Sequence, residues 1–364
     1  MKRNLLFTVI VAVLIMAFLM SACSPSTAIP DDAKVASSTF TQSESSDKKT
    51  SSDLKKVVYV TPGTLGDNGF TDSVWAGLQR IKDDYGAEVK IIENGFDSSK
   101  YAQSVEAAFA WGPNVLFTDA YGMEEVIKTY SEQYPNVQVI NLDFVLENKS
   151  NTISSITFIQ EEGSFMAGVV AALITTSDLP FSNPEKVVGA MGGVDMWVIR
   201  SFMHGYEQGV KYLDPEIKIV TNFAGTFSDP VTGKTASKQL FAQDADIVFQ
   251  IAGLTGSGVL EAAFEEGKYA IGVDSNQNFT YPGHIVTSMV KDLNGAAYEI
   301  YKMLVEGTFE KGKTYENGYG YAGTYLAIDK YTEEILTSEM LEKVREIENK
   351  LKSGDITVSR YPKE

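Results

Sequence analysis

The chain is poor in the residue types on which most catalytic and cross-linking chemistry depends. It has one cysteine, Cys23, in 364 residues, so a structural disulfide within the chain is excluded. It has two histidines, His204 and His284, and neither has a partner at metal-binding spacing. His204 falls within an expected helix and His284 follows a Pro-Gly turn, and both read as structural. No G-x-S-x-G elbow occurs, no Gly-Lys-Ser/Thr follows a glycine-rich loop, and no dinucleotide fingerprint has the right spacing. Basic residues are also short: 31 Lys and Arg stand against 48 Asp and Glu, for a formal charge of −17. Such an acidic surface repels phosphate backbones and excludes nucleic acid as a partner. No short-period repeat is present.

What is present begins with an address. Lys2 and Arg3 precede an apolar run from Leu5 to Met20, too short for a membrane span and followed by Ser21-Ala22-Cys23. A charged start, an apolar middle and small residues at the end make a secretory signal over residues 1–22. Met20-Ser21-Ala22-Cys23 resembles the bacterial lipoprotein signal, whose cysteine is lipidated and becomes the first residue. Loss of Lys2 and Arg3 leaves 31 − 2 = 29 basic residues against 48 acidic ones, a mature charge of −19. Residues 23–56 are rich in Ser, Thr, Asp and Lys. They cannot bury enough surface to offset their ordering entropy and read as a tether, with folding starting near Val57.

From there strands and helices alternate. Apolar, β-branched runs predict strands at Val57–Thr61, Val115–Thr118, Val137–Leu142, Ile153–Ile159, Val187–Met191, Ile217–Phe223, Ile247–Ile251 and Tyr269–Val273. Helical periodicity lies between them, as in Val74, Leu78, Ile81 and Tyr85, with Thr71 or Asp72 available as a cap. Alternation of this kind predicts parallel sheets covered by helices, an α/β fold, and there are enough strands for two lobes with a cleft between them. Residues Tyr331 to Lys352 read as one charged amphipathic helix.

Residues Thr221 to Lys291 concentrate the candidate chemistry. Phe227, the turn starting at Gly253, Asp274 and Lys291 each fall just past a strand end or at a helix start. In open parallel sheets that is where ligands bind. Phe70 ends the loop after the first strand, Asp143 follows the expected strand Val137–Leu142, and Trp197 follows another. Each suits a plainer role too: the aromatics as core, the aspartates as caps, Gly253 as a tight turn, Lys291 as a solvated lysine. Ser288-Met289-Val290-Lys291 satisfies the S-x-x-K pattern of some hydrolases, but its companion motifs S-D-N and K-T-G are absent.

Five segments, in order, carry a resemblance. They are Phe158–Gly168, Gly225–Pro230, Phe249–Gly253, Ile271–Gln277 and Thr287–Lys291. Together they resemble the basic membrane protein family, substrate-binding lipoproteins of ABC transporters best known as purine nucleoside receptors. The resemblance runs from Val57 onward. It implies a non-enzymatic type I periplasmic-binding-protein fold of two doubly wound lobes, without a cofactor or metal. Lobe one would comprise residues 57–159 and 289–312, and lobe two residues 160–288 and 313–364. It also implies that Phe70 and Phe227 sandwich a purine base, that Asp143 meets the base, and that Asp274 and Lys291 bind the ribose beside Gly253. Trp197 would cover the ligand. A carboxylate accepts from two neighbouring hydroxyls, and Lys291 could donate to sugar oxygens and pair with Asp274.

Two positions depart from the family. Thr71 stands where Asn often follows the first aromatic, and the first loop has no carboxylate before Asp67. The expected protein is a monomer, lipid-anchored at Cys23 on the extracytoplasmic face, delivering a nucleoside to an ABC permease. The alternatives are a sensor for a sugar or other small molecule that signals to a membrane regulator, and a lipid-anchored hydrolase.

Overall fold

A computed structural model describes residues 54–362. The expected signal, Cys23 and most of the expected tether lie outside the described residues. The tether ends earlier than residue 56, because Leu54 is already buried and its carbonyl accepts from the Tyr301 hydroxyl.

The chain builds two six-stranded sheets. The first half gives β1 (Lys56–Thr61), α1 (Phe70–Tyr85), β2 (Glu88–Glu93), α2 (Tyr101–Ala110), β3 (Val115–Thr118), α3 (Glu124–Gln133), β4 (Gln138–Asp143) and β5 (Ile153–Phe158). Helix α4 (Gln160–Thr175) then enters the second lobe, followed by β6 (Val187–Gly192), α5 (Trp197–Leu213), β7 (Lys218–Phe223), α6 (Pro230–Phe241), β8 (Ala245–Ile251), α7 (Gly256–Glu265), β9 (Tyr269–Asp274) and β10 (Ile285–Lys291). Helix α8 (Leu293–Glu306) and β11 (Thr314–Asn317) return to lobe one, and β12 (Thr324–Leu326), α9 (Lys330–Ile335) and α10 (Ser338–Ser353) complete lobe two.

The strand orders are β11-β5-β4-β3-β1-β2 and β12-β10-β9-β8-β6-β7. They are the same order twice, with each strand of the first half matched by the one five later. All neighbours run parallel except β12, which pairs antiparallel with β10. The order switches direction between β1 and β3, and between β6 and β8. A crevice opens at such a switch, at the carboxyl ends of the strands. The two-lobed α/β fold is therefore as expected.

Several details differ from the expectation. Residues 289–291 do not begin the return to lobe one: they complete β10, which runs parallel to β9. The return starts at Asp292, whose side chain caps α8 through the Gly295 N–H at 2.8 Å. Thr314–Asn317, expected in lobe two, pairs with β5 in lobe one. Strand β2 was not anticipated, because Glu88, Lys90 and Glu93 break its apolar pattern. Charge on an edge strand prevents pairing with another chain. Neither Thr71 nor Asp72 caps α1. The Asp67 carboxylate does, accepting from the N–H groups of Gly69, Thr71 and Asp72 at 2.9, 2.8 and 3.2 Å. The expected C-terminal helix is broken at Leu336, and Thr337 caps the second piece.

Helix α4 opens lobe two. It is rich in small residues and almost wholly buried. It packs on α5 so closely that a Cβ at Gly209 would stand 1.9 Å from the Phe165 carbonyl oxygen. On the lobe-one side, a Cβ at Gly77 would stand 2.7 Å from the Asn294 carbonyl oxygen, so α1 and α8 form a comparably close pair.

Candidate functional site

A cavity of about 360 Å³ lies between the lobes, within the range of small-molecule sites. The eight residues singled out from the sequence, Phe70, Thr71, Asp143, Trp197, Phe227, Gly253, Asp274 and Lys291, all line it. They converge because each follows, or ends, a strand pointing into the crevice. Phe70 and Thr71 open α1 after β1. Asp143 ends β4, Trp197 opens α5 after β6, Phe227 follows β7, Gly253 follows β8, and Asp274 and Lys291 end β9 and β10.

Asp143 and Asp274 occupy matching places in the two lobes, the ends of β4 and β9. Both adopt left-handed backbone conformations, with φ of +80° and +64°. Such strained positions in non-glycine residues gather at ligand sites. Asp274 is buried, and burial pushes its carboxyl up to about 7. The Lys291 ammonium opposes the shift, while Asp143 and Asp67 add to it.

Lys291 differs from the expected pairing. Its side chain is almost wholly buried, and its ammonium pairs with Asp143 of the opposite lobe rather than with Asp274. It also sits 4.6, 5.5 and 5.8 Å from the ring centroids of Phe202, Phe158 and Phe70. Aromatic faces partly compensate a buried cation. Lys291 ends β10 and precedes the cap of α8, so it is not the solvated lysine of a helix start.

Phe227 reaches lobe one. Its ring centroid is 6.0 Å from that of Phe96, tilted by 30°, and 6.0 Å from that of Tyr121, edge-on at 88°. Its seat depends on two glycines. A Cβ at Gly193 would stand 2.3 Å from Phe227 Cδ1, and Gly253 adopts φ +55° with the Phe227 carbonyl oxygen 3.4 Å from its Cβ position. The Phe227 carbonyl accepts from Thr255 N–H at 3.1 Å. Trp197 donates its indole N–H to the Pro362 carbonyl at 3.0 Å.

Further contacts join the lobes beside the cavity. Ser275 Oγ donates to the Gly69 carbonyl at 3.1 Å, and Gln277 Nε2 donates to the Asn68 carbonyl at 2.9 Å. The lobes are thus closed on each other.

The cavity is also lined by residues that the sequence pattern does not single out, among them Phe96, Asp119, Tyr121 and Phe202. Asp119 follows β3 just as Asp143 ends β4, and that position was the available signal. Its carboxyl accepts from the buried Tyr59 hydroxyl at 3.1 Å, and burial raises it to about 7 despite hydrogen bonding from Thr61 and Tyr59. Asp67 also lines the cavity, but its carboxylate is committed to the start of α1.

The hydrolase pattern does not assemble. Ser288 Oγ donates to Asn278 Oδ1 at 2.8 Å and accepts from Gln277 N–H at 2.9 Å, and Lys291 is held by Asp143. His204 meets Ser359 Oγ at 2.9 Å, and His284 meets the Lys268 carbonyl at 2.8 Å while stacking on Phe181. Among the described residues no cluster of His, Cys, Asp and Glu could hold a metal, and no helix is long and apolar enough to cross a membrane.

Comparison with known proteins follows the same lines. The model of the Bmp family, described as ABC transporter substrate-binding protein PnrA-like, matches residues 54–361. Basic membrane protein A of Borreliella burgdorferi is 30% identical over 73% of this chain and 77% of its own length. The CD4+ T-cell-stimulating antigen of Listeria innocua is 28% identical over 88% of this chain and 92% of its own. Among solved structures, a solute-binding protein of an ABC transporter system from Aeropyrum pernix K1 superposes with a TM-score of 0.75. It is 22% identical and covers 85% of this chain and 94% of its own, a likeness of fold.

Proposed function

The chain belongs to the Bmp family of PnrA-like ABC transporter substrate-binding proteins, and from that premise we propose that its ligand is a nucleoside, a purine nucleoside above all. The family makes it a non-enzymatic binding protein that works outside the cytoplasm and hands a small molecule to a permease. The finer reading rests on the cavity. One cavity joins aromatic rings from both lobes to strand-end carboxylates and a buried lysine.

A base is a flat π surface, and stacking on an aromatic ring contributes about 1–3 kcal/mol. Phe227 and Phe70 are the rings we assign to it. Asp274, with Lys291 nearby, suits the neighbouring hydroxyls of a ribose. Asp143 and Asp119 remain for the edge of the base. Asp67, Asp119, Glu124, Asp143 and Asp274 face the cavity, and among the described lining residues Lys291 is the one cation. That balance favours a neutral nucleoside over a nucleotide, whose phosphates would be repelled.

Closure follows from the same arrangement. Ligand touching both lobes stabilises the closed form, because only that form presents both aromatic walls. We assign Cys23 as the lipid-bearing residue that tethers the receptor, as a monomer, beside its permease.

The test is a thermal-shift panel of nucleosides, free bases, nucleotides, pentoses and hexoses, run after unfolding and refolding to remove copurified ligand. A ligand at a hundred times its Kd adds about 2.7 kcal/mol of stability. Guanosine, adenosine or inosine should raise Tm while ribose and nucleotides leave it unchanged. A rise with sugars alone refutes the nucleoside reading.

A further inference from the structure

Residues 359–362, the last described ones, run along the hinge. After α10 the backbone turns at Gly354, and Val358 sinks into the lobe-two core. Ser359 to Pro362 then follow one face of α5. Ser359 N–H donates to Gln208 Oε1 at 2.8 Å, and Ser359 Oγ lies 2.9 Å from His204 Nε2. The Tyr361 ring meets His204 edge-on at 5.7 Å, and the Pro362 carbonyl accepts the Trp197 indole N–H at 3.0 Å. Gln208, His204 and Trp197 are spaced by four and seven residues, which places them on one helical face.

Arg360 leaves this line and reaches the hinge. Its Nε is 3.4 Å from Glu161 Oε2, and its Nη2 is 3.0 Å from Glu316 Oε1. Glu161 is fully buried in the first turn of α4, immediately past the first crossing between lobes, and Tyr361 N–H donates to its Oε1 at 3.0 Å. Glu316 lies on β11, the last strand of lobe one before the third crossing. The adjacent Glu162 accepts from Tyr319 N–H, within that crossing, at 2.7 Å.

One arginine thus ties two of the three hinge connections together from a segment seated on lobe two. The same segment ends on a residue that lines the ligand cavity. A second cavity of about 590 Å³, lined in part by Glu316, Arg360 and Tyr361, shares Asp143, Phe144, Met196 and Trp197 with the first. The two cavities therefore adjoin at Trp197, with Arg360 and Tyr361 lining the second.

We propose that Ser359–Pro362 is a positioning strap. It fixes the Trp197 indole against the ligand and holds the hinge in its closed arrangement, so that affinity and closure both depend on the chain end. The physical basis is twofold. A buried carboxylate such as Glu161 is tolerated only with partners, and the strap supplies them. Opening the hinge carries Glu316 away with lobe one while the strap stays with α5, so the Arg360–Glu316 pair favours closure. The choice of probe rests on the nucleoside reading; the strap itself does not.

The test uses the full chain with three changes: Trp197→Phe, Glu316→Gln, and termination after Val358 combined with Glu161→Gln so that no carboxylate is left unpaired. Guanosine binding is measured by calorimetry. Closure without ligand is measured by the distance between spin labels at Glu125→Cys and Val231→Cys, both exposed on the cleft rims of opposite lobes, in a Cys23→Ser background. Trp197→Phe should raise Kd about 3- to 10-fold, the range expected for one hydrogen bond. The shortened chain should raise it at least about tenfold, and adding Trp197→Phe to it should cost no more, because both act through one contact. Glu316→Gln should lengthen the label distance.

Unchanged label distances overturn the hinge role, and an unchanged Kd for Trp197→Phe overturns the positioning role. If the shortened chain does not fold, the two point substitutions decide. If the wild-type chain binds no guanosine, the nucleoside reading fails, and the label distances still decide the strap.

Discussion

Asp274→Asn separates what the carboxylate costs the fold from what it offers a ligand. Asp274 ionises near 3.8 when unfolded and at about 7 in the folded protein, because burial penalises its charge. Between those values the native state holds the proton and the unfolded state has lost it, so stability falls as pH rises through this window. The penalty is absent below 3.8 and complete above about 7. At 1.36 kcal/mol per pH unit, Asp274 alone removes about 3 kcal/mol of stability between about pH 5 and about pH 8. Asn carries no such penalty. The variant should therefore gain on the wild type in the ligand-free state as pH rises from about 5 to about 8, by roughly 5 °C in Tm.

With ligand the order reverses. Two ribose hydroxyls donating to Asp274 require its ionised form, so guanosine binding should release protons near neutral pH and weaken as pH falls below about 7. Asn cannot accept both donations and should lose the preference for guanosine over guanine. The assays are ligand-free melting across pH, and calorimetry in buffers of differing ionisation enthalpy. Asp119 also titrates near 7 in both proteins, so the difference between them isolates Asp274. Parallel Tm profiles for the two proteins across this pH range would refute the reasoning.

Other substitutions test the remaining contacts. Phe227→Ala removes a base-stacking face and the contacts with Phe96 and Tyr121; it should raise the guanosine Kd by about 5- to 150-fold, the equivalent of about 1–3 kcal/mol, and unchanged affinity in calorimetry would remove the ring from the site. Lys291→Met leaves the Asp143 carboxylate beside the cavity without its cation and should destabilise the protein by about 3–5 kcal/mol in denaturant unfolding. Adding Asp143→Asn should restore part of that loss, because the two residues act as one pair.

Much of the fold was legible because buried strands of parallel sheets read as continuous apolar runs. The polar strands were not. β2 carries Glu88, Lys90 and Glu93, and β11 alternates exposed with half-buried residues, so neither resembles a core strand. That the eight candidate residues line one cavity was legible for a topological reason: alternation of strand and helix places every strand-to-helix loop at one end of its sheet. Partner choice was not. Lys291 and Asp143 are 148 residues apart and meet only because the lobes face each other. Phe96 was hidden in Asn94-Gly95-Phe96-Asp97, which reads as a turn, and its φ of +57° is unusual for an aromatic. The strap left no pattern at all, since its bonds are polar and reach α5 and β11 from the chain end.

The discontinuity of both lobes bears on how the protein is made. Lobe one lacks the helix that covers α1, and the strand that flanks β5, until residues 293–317 arrive; lobe two lacks its antiparallel edge until β12. A chain that emerges amino end first cannot complete either unit until its last segments appear. The β5 edge stays open to other chains until β11 begins at Thr314, and the β10 edge until β12 begins at Thr324. Long-range pairings of this kind also slow folding. The order of connections that creates a cleft between two halves therefore leaves both halves incomplete until the last fifth of the sequence closes them together.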